Sequence, residues 1–158
     1  MPFDLKDSPF WPADDPAVIA HMNILQGVIN RLATQSGSCK TWCLTIVGAL
    51  VTLAGATRSP GIVQFAIVPI IVFAYLDTMY LANEKEFRVL YNSTATAVST
   101  GAYKRGNAFQ AVPAKVSIVR AGAAFLSWSI WPVYLSLILA YLIAYFTGWI
   151  AALAQVPR

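Results

Sequence analysis

The chain has few of the residues on which protein chemistry most often depends. Its 158 residues include one histidine and two cysteines, and only 11% are charged. So few cysteines and histidines cannot plausibly supply the four ligands of a structural zinc site, and most nucleophile–base pairs lack a member. Phosphate-binding loops and nucleophile-elbow motifs are also absent from the sequence. We therefore expect no enzyme, no cofactor and no metal, and the net charge of +4 is too small to indicate nucleic-acid binding.

The two cysteines lie four residues apart, at Cys39 and Cys43. Consecutive turns of one rigid helix hold two thiols poorly for a relaxed disulfide. We interpret both as small packing residues, with a redox or lipidation role as the alternative.

What the sequence does have is long apolar runs, at 41–57, 62–81 and 121–154, in which Asp77 is the single charged residue. A helix that crosses the hydrocarbon of a bilayer needs about 20 mostly apolar residues. The sequence therefore predicts an all-α integral membrane helical bundle with three transmembrane helices. The third helix is placed at about 131–153, and a single crossing is favoured over one that includes a re-entrant segment.

An amphipathic helix is predicted before the first span. Asp15 is a suitable N-cap, Pro16 suits the first helical position, and Gly37 is predicted to end the helix. Apolar residues then recur every three or four positions, and we call this set the seam: Val18, Met22, Leu25, Ile29 and Leu32. The seam either packs on its own chain, joins copies of the protein in a homo-oligomer, or binds a soluble partner protein.

The first two spans are predicted to form a helical hairpin through a turn at 58–61. Gly48, Thr52 and Gly55 place small groups on one side of the first span, which either allows another helix to approach closely or is ordinary packing in a tight hairpin. Pro69 is predicted to kink the second span.

The helical pattern of the second span continues to about residue 91 as a cytoplasmic stalk, with Glu84 and Arg88 as an i,i+4 ion pair. A basic loop follows, and a short surface helix is expected at 114–125 before the last span.

Asp77 is the residue that membrane physics singles out, because a carboxylate within a span is costly and usually pairs or faces water. Counting outward from the hairpin turn places Lys40 at a similar depth. The pair either pins the hairpin together, or Asp77 contributes to a ring that lines a cation path in an oligomer.

The distribution of Lys and Arg predicts the orientation. Nine of the 11 precede the first span or lie within 83–123, while Arg58 and Arg158 are the other two. Basic residues favour the cytoplasmic side, so the N-terminus and the 83–123 segment are predicted to be cytoplasmic and the C-terminus external. The predicted segments are 1–38 (cytoplasmic lead and amphipathic helix), 39–91 (hairpin and stalk), 92–123 (basic loop) and 124–158 (third span).

Two stretches carry a resemblance. Lys40-x-Trp42 opens the first span, and Leu76-Asp77-x-x-Tyr80-Leu81-x-x-Glu84-x-x-Phe87-Arg88-x-Leu90-Tyr91 closes the second. These stretches resemble a group of small, largely uncharacterised bacterial multi-span membrane proteins. In size and layout the chain is also similar to membrane effectors of anti-phage systems, which assemble and breach the inner membrane. The resemblance implies an oligomeric effector in the bacterial inner membrane that perturbs or permeabilises it, either through a pore or without one. The alternatives are a scaffold or accessory subunit that binds a soluble partner through the N-terminal helix, and a small housekeeping channel.

Overall fold

The computed structural model describes residues 10–59, 61–104, 106 and 109–146. Five helices follow one another: α1 (Pro16–Thr57), α2 (Gly61–Gln64), α3 (Ile67–Ser99), α4 (Ile118–Phe125) and α5 (Trp131–Phe146). Within these residues there is no β-strand, only an isolated antiparallel bridge between Phe10 and Lys104. The expectation of an all-α fold is confirmed.

The start of α1 follows the predicted capping pattern. The Asp15 carboxylate accepts a hydrogen bond from the backbone N–H of Ala17 at 2.8 Å, and Pro16 occupies the first helical position. The predicted end at Gly37 is wrong, because α1 continues without a break to Thr57. A glycine inside a helix costs only about 1 kcal/mol relative to alanine, too little to end a helix that is helical on both sides of it.

The C-terminus of α1 is closed by Arg58, which has a left-handed backbone with φ 54°. The N–H of Arg58 bonds the carbonyl of Gly55, and the N–H of Ser59 bonds the carbonyl of Ala54. This is a Schellman cap, in which glycine is the usual residue at the left-handed position. Arg58 therefore sits in a conformation that its Cβ disfavours.

The end of α3 has the same cap with the expected residue. Gly101 has φ 68°, its N–H bonds the carbonyl of Val98, and the N–H of Ala102 bonds the carbonyl of Ala97. The loop predicted to begin at 92 therefore begins later, because α3 remains helical to Ser99.

The second apolar run is not one helix. A turn at Phe65 and Ala66 separates the short α2 from α3. Pro69 lies four residues after Phe65, has no N–H to bond its carbonyl, and its ring would clash with that carbonyl in a continuous helix. The predicted kink at Pro69 is thus a break one turn earlier. Similarly, the short surface helix begins at Ile118, four residues later than predicted, where the side chain of Ser117 caps it.

The chain divides into two compact units. Unit 1 is built from the beginning of the chain to Ala33 and from 83–116, and unit 2 from 34–82 and from Ser117 onward. Each long helix contributes residues to both units. Each unit joins stretches that are distant in sequence, whereas the four predicted segments are consecutive along the chain.

The core of unit 2 lies among α1, α3 and α5. Cys43, Ile70, Ile130 and Tyr134 are buried together, and half-buried apolar side chains of the same helices surround them. A smaller cluster around Ala54 and Val63 involves α2.

Outside this core, the helices of unit 2 and the turn between α2 and α3 expose large apolar side chains: Trp42, Leu44, Leu53, Phe65, Val68, Ile71, Tyr75, Leu139 and Ile143. Two helical segments, Pro16–Thr57 and Gly61–Ser99, are long and apolar enough to cross a membrane, and only a small share of each apolar window is buried. Helix α5 is apolar but covers only 16 described residues, short of the roughly 20 that a crossing needs. The rest of the predicted third span lies outside the described residues.

The seam is buried within unit 1. Val18, Leu25 and Ile29 are almost fully buried, and Met22 and Leu32 are half-buried. In the described chain these side chains are covered by the protein's own residues, so the structure favours intrachain packing. It does not support the interpretation of the seam as an exposed subunit interface.

Candidate functional site

Three polar side chains meet inside unit 2 where α1 faces α3. Ser36 and Lys40 are four residues apart on α1, so they share one face of that helix, and Asp77 projects from α3 toward them. We call these three residues the Asp77 cluster. Because α1 does not end at Gly37, Ser36 and Lys40 belong to the same rigid helix and their spacing is fixed.

Both carboxylate oxygens of Asp77 are engaged. The Ser36 hydroxyl donates to Oδ1 at 2.5 Å, and the Lys40 ammonium lies 2.7 Å from Oδ2. Lys40 also donates to the carbonyl and hydroxyl oxygens of Ser36, each at 3.4 Å. The structure thus brings Lys40 and Asp77 together as an ion pair and adds Ser36 to it.

The two charges differ in their access to solvent. Asp77 is 0% exposed, whereas the Lys40 side chain is 20% exposed. A carboxylate with no exposed surface does not line a water-filled path in this conformation. The structure therefore favours the ion-pair interpretation of Asp77 over the pore-lining one.

Two cysteines and a tyrosine lie near the pair. Cys39 and Cys43 are buried free thiols, and Cys43 belongs to the apolar core. Tyr134 of α5 donates its hydroxyl to the carbonyl of Phe73 at 3.2 Å and also interacts with Asp77. The cluster therefore links three helices, since α5 reaches the pair through Tyr134.

The predicted stalk ion pair is present in unit 1. The guanidinium of Arg88 donates from Nε to Oε1 of Glu84 at 2.8 Å, one helical turn apart. Arg88 is largely exposed while Glu84 is buried. The guanidinium therefore supplies a counter-charge to a buried carboxylate, and the pair adds little stability by itself because one partner lies in solvent.

In the described part of the chain, the small residues of the first span face outward. Gly48, Thr52 and Gly55 are exposed, and a Cβ added at either glycine would meet nothing within 4 Å. The Thr52 hydroxyl bonds the carbonyl of Gly48. Within the described residues no helix packs closely against this face, and the close approach of another helix stays a prediction.

A second polar arrangement lies in unit 1. The hydroxyl of Tyr103 and Nδ1 of His21 are 2.5 Å apart, both side chains are buried, and the ring of Phe109 lies 6.1 Å from the imidazole. Burial raises the pKa of the Tyr103 phenol above its ordinary value. The backbone carbonyl of Tyr103 also accepts from the N–H of Trp11 at 3.0 Å.

Sequence reasoning missed Ser36, Tyr134 and the His21–Tyr103 pair. Ser36 has a signal, because it lies four residues before Lys40, but the helix end predicted at Gly37 concealed it. The other two contacts join residues 57 and 82 positions apart (Asp77 to Tyr134, His21 to Tyr103), which no local pattern connects.

Comparison with known protein families, with curated proteins and with solved structures found no match for this chain. Within the part of the chain that the structure describes, no group of three or more His, Cys, Asp or Glu residues is placed to hold a metal ion. What the Asp77 cluster offers chemically is a buried, fully paired charge that fixes α1 against α3.

Proposed function

We propose that the chain is an oligomeric membrane effector that permeabilises the bacterial inner membrane, with the Asp77 cluster holding its closed state. The observation that carries the proposal is the combination, in unit 2, of outward-facing apolar side chains with an inward-facing ion pair. A soluble protein would bury the apolar side chains, whereas lipid solvates them without cost.

In the proposed mechanism, the ion pair between Lys40 and Asp77 holds the closed conformation together. A charged pair shielded from lipid is stable only while both partners stay together, because each alone would be costly in hydrocarbon. Separation of α1 from α3 would expose Asp77 and Lys40 together, and two charged groups exposed in a span favour entry of water. The closed and the permeable conformations would then differ in whether this one contact is intact.

Self-association is assigned to the exposed small-residue face of α1 rather than to the seam. Gly48, Thr52 and Gly55 are open to a neighbouring helix, and small residues are enriched where membrane helices approach closely. Burial of the seam also weakens the scaffold alternative, which requires that surface to be free.

The setting in anti-phage defence rests on the resemblance in layout alone. The orientation proposed from the basic residues places the N-terminus and the 83–123 segment in the cytoplasm. A cytoplasm-dependent reporter inserted at Gly106 is expected to be active, and the same reporter at the C-terminus inactive; an active C-terminal reporter would contradict three crossings.

The functional test is expression of the full chain in bacteria from a tightly controlled promoter, with a dye for membrane potential. We expect depolarisation and growth arrest for the parent chain, and protection by Gly48→Leu combined with Gly55→Leu, which blocks close helix approach. Ala49→Leu lies about 100° further round the helix and serves as the matched control that leaves activity intact.

Intact potential at expression levels where the chain is found in the membrane would refute the effector proposal. A stoichiometric soluble partner in gentle detergent together with intact potential would point instead to the scaffold function. A particle mass in detergent equal to one chain would exclude the oligomeric part of the proposal.

A further inference from the structure

A groove of about 740 Å³ lies within unit 2, between α3, α4 and α5. Its volume falls within the roughly 300–1,000 Å³ that is usual for ligand sites in proteins. On α3 the lining residues recur one helical turn apart, as Ile70, Ala74 and Thr78 do, and on α5 Tyr134 and Ile138 are spaced in the same way. The groove therefore runs along the helices rather than across them.

The floor of the groove is buried, and its hydroxyl protons are already used. Ile70, Thr78 and Tyr134 are at most 7% exposed. The Thr78 hydroxyl donates to the carbonyl of Ala74 at 2.7 Å, and the Tyr134 hydroxyl donates to the carbonyl of Phe73 at 3.2 Å. A ligand on this floor therefore gains mainly apolar contact.

The rim of the groove is apolar and exposed. Ile71 and Tyr75 of α3, Phe125 of α4 and Leu135 of α5 line it and are 43–63% exposed. Ile71 and Tyr75 also belong to the outward-facing apolar surface of unit 2. The groove is thus continuous with the surface that lipid covers in the proposed membrane function.

The groove is about as long as one leaflet is deep. Along α3 it extends from Ile70 to Met79, which is about 13 Å at roughly 1.5 Å per residue. The hydrocarbon of one leaflet is about 15 Å thick, half of the bilayer core. Asp77 adjoins the Met79 end, and its partner Lys40 can carry its ammonium to the headgroups. That end therefore lies near the headgroups, and the Ile70 end lies deeper.

Helix α4 and the start of α5 have features typical of the headgroup depth. Gly122 and Phe125 of α4 line the groove, while the exposed Arg120 lies about 160° round the helix from Gly122. A helix with one apolar and one charged face lies in the plane of the membrane interface. Trp131, which also lines the groove, contacts Trp128 edge to face at 5.8 Å between ring centroids, and tryptophan is enriched at this depth.

We propose that this groove binds a phospholipid as a resident ligand. One acyl chain lies along α3 between α4 and α5, and the headgroup lies at the Trp131 end. A phospholipid combines an apolar chain of leaflet length with a polar group at that depth, and the chain supplies the dispersion contacts that an unfilled groove would deny its lining. The site rests on the membrane function proposed above, because it takes the apolar surface of unit 2 to face lipid.

Two leucines provide a matched pair for the test. Leu135 lines the groove and is 43% exposed, whereas Leu44 lies on α1, which does not line the groove, and is 51% exposed. Leu44 is one turn from Lys40. Leu135 follows Tyr134, which interacts with Asp77, so the two leucines lie at similar depth. They differ mainly in whether they belong to the groove.

The experiment is photolabelling of the full-length protein by a phosphatidylcholine that carries a diazirine in mid-chain. The protein is reconstituted in vesicles of phosphatidylethanolamine and phosphatidylglycerol that contain this probe. One sample is irradiated in the vesicles, and a second is irradiated after transfer to lipid-free detergent. Mass spectrometry of the peptides then gives the label at each leucine.

In vesicles both leucines are expected to be labelled, because both face lipid. After transfer to detergent, Leu44 is expected to lose its label and Leu135 to keep it, because a lipid seated in the groove exchanges slowly. Gly122→Trp fills the groove, since a Cβ at this glycine meets nothing within 4 Å, and is expected to abolish the Leu135 label in detergent. Ala123→Trp, at an exposed position about 100° further round α4, is the matched control and is expected to preserve it.

Equal loss of label from both leucines in detergent would overturn the lipid site and leave the membrane function standing. Absence of label from both leucines in vesicles would refute the site and the membrane function together. Equal labelling of the Gly122→Trp and Ala123→Trp variants in detergent would also overturn the site.

Two further results would assign the groove to another occupant and refute the proposal. A Leu135 label that survives detergent only after removal of residues 147–158 would indicate that the end of the chain fills the groove. A Leu135 label that increases as the protein is diluted in the bilayer would indicate that a second copy fills it.

Discussion

Replacing Lys40 by methionine is the most informative perturbation of this protein. Methionine keeps much of the side-chain volume and removes the charge, so Asp77 remains 0% exposed and has no counter-charge among the contacts described above, which leave it the Ser36 hydroxyl and Tyr134. Removing one member of a buried ion pair costs about 3–5 kcal/mol, because the other charge stays buried and unpaired. In a chain of 158 residues this corresponds to a fall in melting temperature of about 6–20 °C, at about 2–4 °C for each kcal/mol.

The reverse deletion is expected to cost less. In Asp77→Asn the stranded charge is Lys40, whose side chain is already 20% exposed and whose long stem can carry the ammonium toward the headgroups. Ser36→Ala removes one hydrogen bond to a charged group, worth about 1.5–3 kcal/mol. The expected order of destabilisation is therefore Lys40→Met first, with the other two smaller.

Thermal unfolding followed by tryptophan fluorescence in detergent measures these differences. Lys85→Met is the matched control, because Lys85 is exposed and is expected to change stability by no more than about 0.5 kcal/mol. If Lys40→Met is no less stable than Lys85→Met, the ion pair contributes nothing and the reasoning about the Asp77 cluster is wrong.

Exchanging the two charges separates pairing from a second role. Lys at position 77 would retain Ser36 as an acceptor, but the longer side chain must fit a fully buried site, and overpacking costs about 1–3 kcal/mol. We expect partial recovery of stability relative to Lys40→Met. Recovery of stability together with continued loss of membrane activity would show that Asp77 does more than pair.

The remaining predictions concern other parts of the fold. Leu25→Ala is expected to destabilise the protein by about 2–5 kcal/mol, since it removes a fully buried side chain, while particle mass in detergent stays the same; a lower mass would restore the seam as a subunit interface. Arg58→Gly is expected to stabilise the protein by about 1 kcal/mol and Gly101→Ala to destabilise it by a similar amount, because both positions have positive φ. Gly27→Ala, in the exposed interior of α1, is expected to stabilise the protein by about 0.5–1 kcal/mol. Equal effects of the two alanine substitutions in thermal unfolding would contradict this. The phenol of Tyr103 is expected to ionise at higher pH than ordinary tyrosine, because burial raises its pKa, so stability falls as pH rises past the unfolded value near 10. The difference between the ultraviolet pH titrations of the parent chain and of Tyr103→Phe measures the ionisation of this phenol. A difference centred at or below the ordinary pKa would refute the prediction.

The amino-acid sequence by itself determined the helical class and several local features. The three apolar runs have 17 or more residues each and contain one charged residue in total. Such runs favour helices, because a helix satisfies the hydrogen bonds of its own backbone groups. Asp15 and Pro16 identified the start of α1 because capping depends on neighbouring residues only. The pairing of Glu84 with Arg88 followed from helical spacing for the same reason.

Local signals failed where their energies were small. Gly37 disfavours a helix by about 1 kcal/mol, and the flanking helical residues outweigh it. The sequence predicted that Pro69 interrupts the second span, and the interruption lies one turn before it because its constraint falls on the carbonyl four residues earlier.

Only the tertiary structure decided which faces are buried and which distant residues meet. The seam is equally compatible with a neighbouring copy and with the protein's own residues, and packing within unit 1 covers it. Ser36, Lys40 and Asp77 form one cluster because α1 stays continuous while α3 lies beside it, and Tyr134 joins them from a third helix. His21 and Tyr103 meet across 82 residues because the Schellman cap at Gly101 ends α3 and redirects the chain. Such contacts depend on the summed packing of whole helices, which no short stretch of sequence specifies.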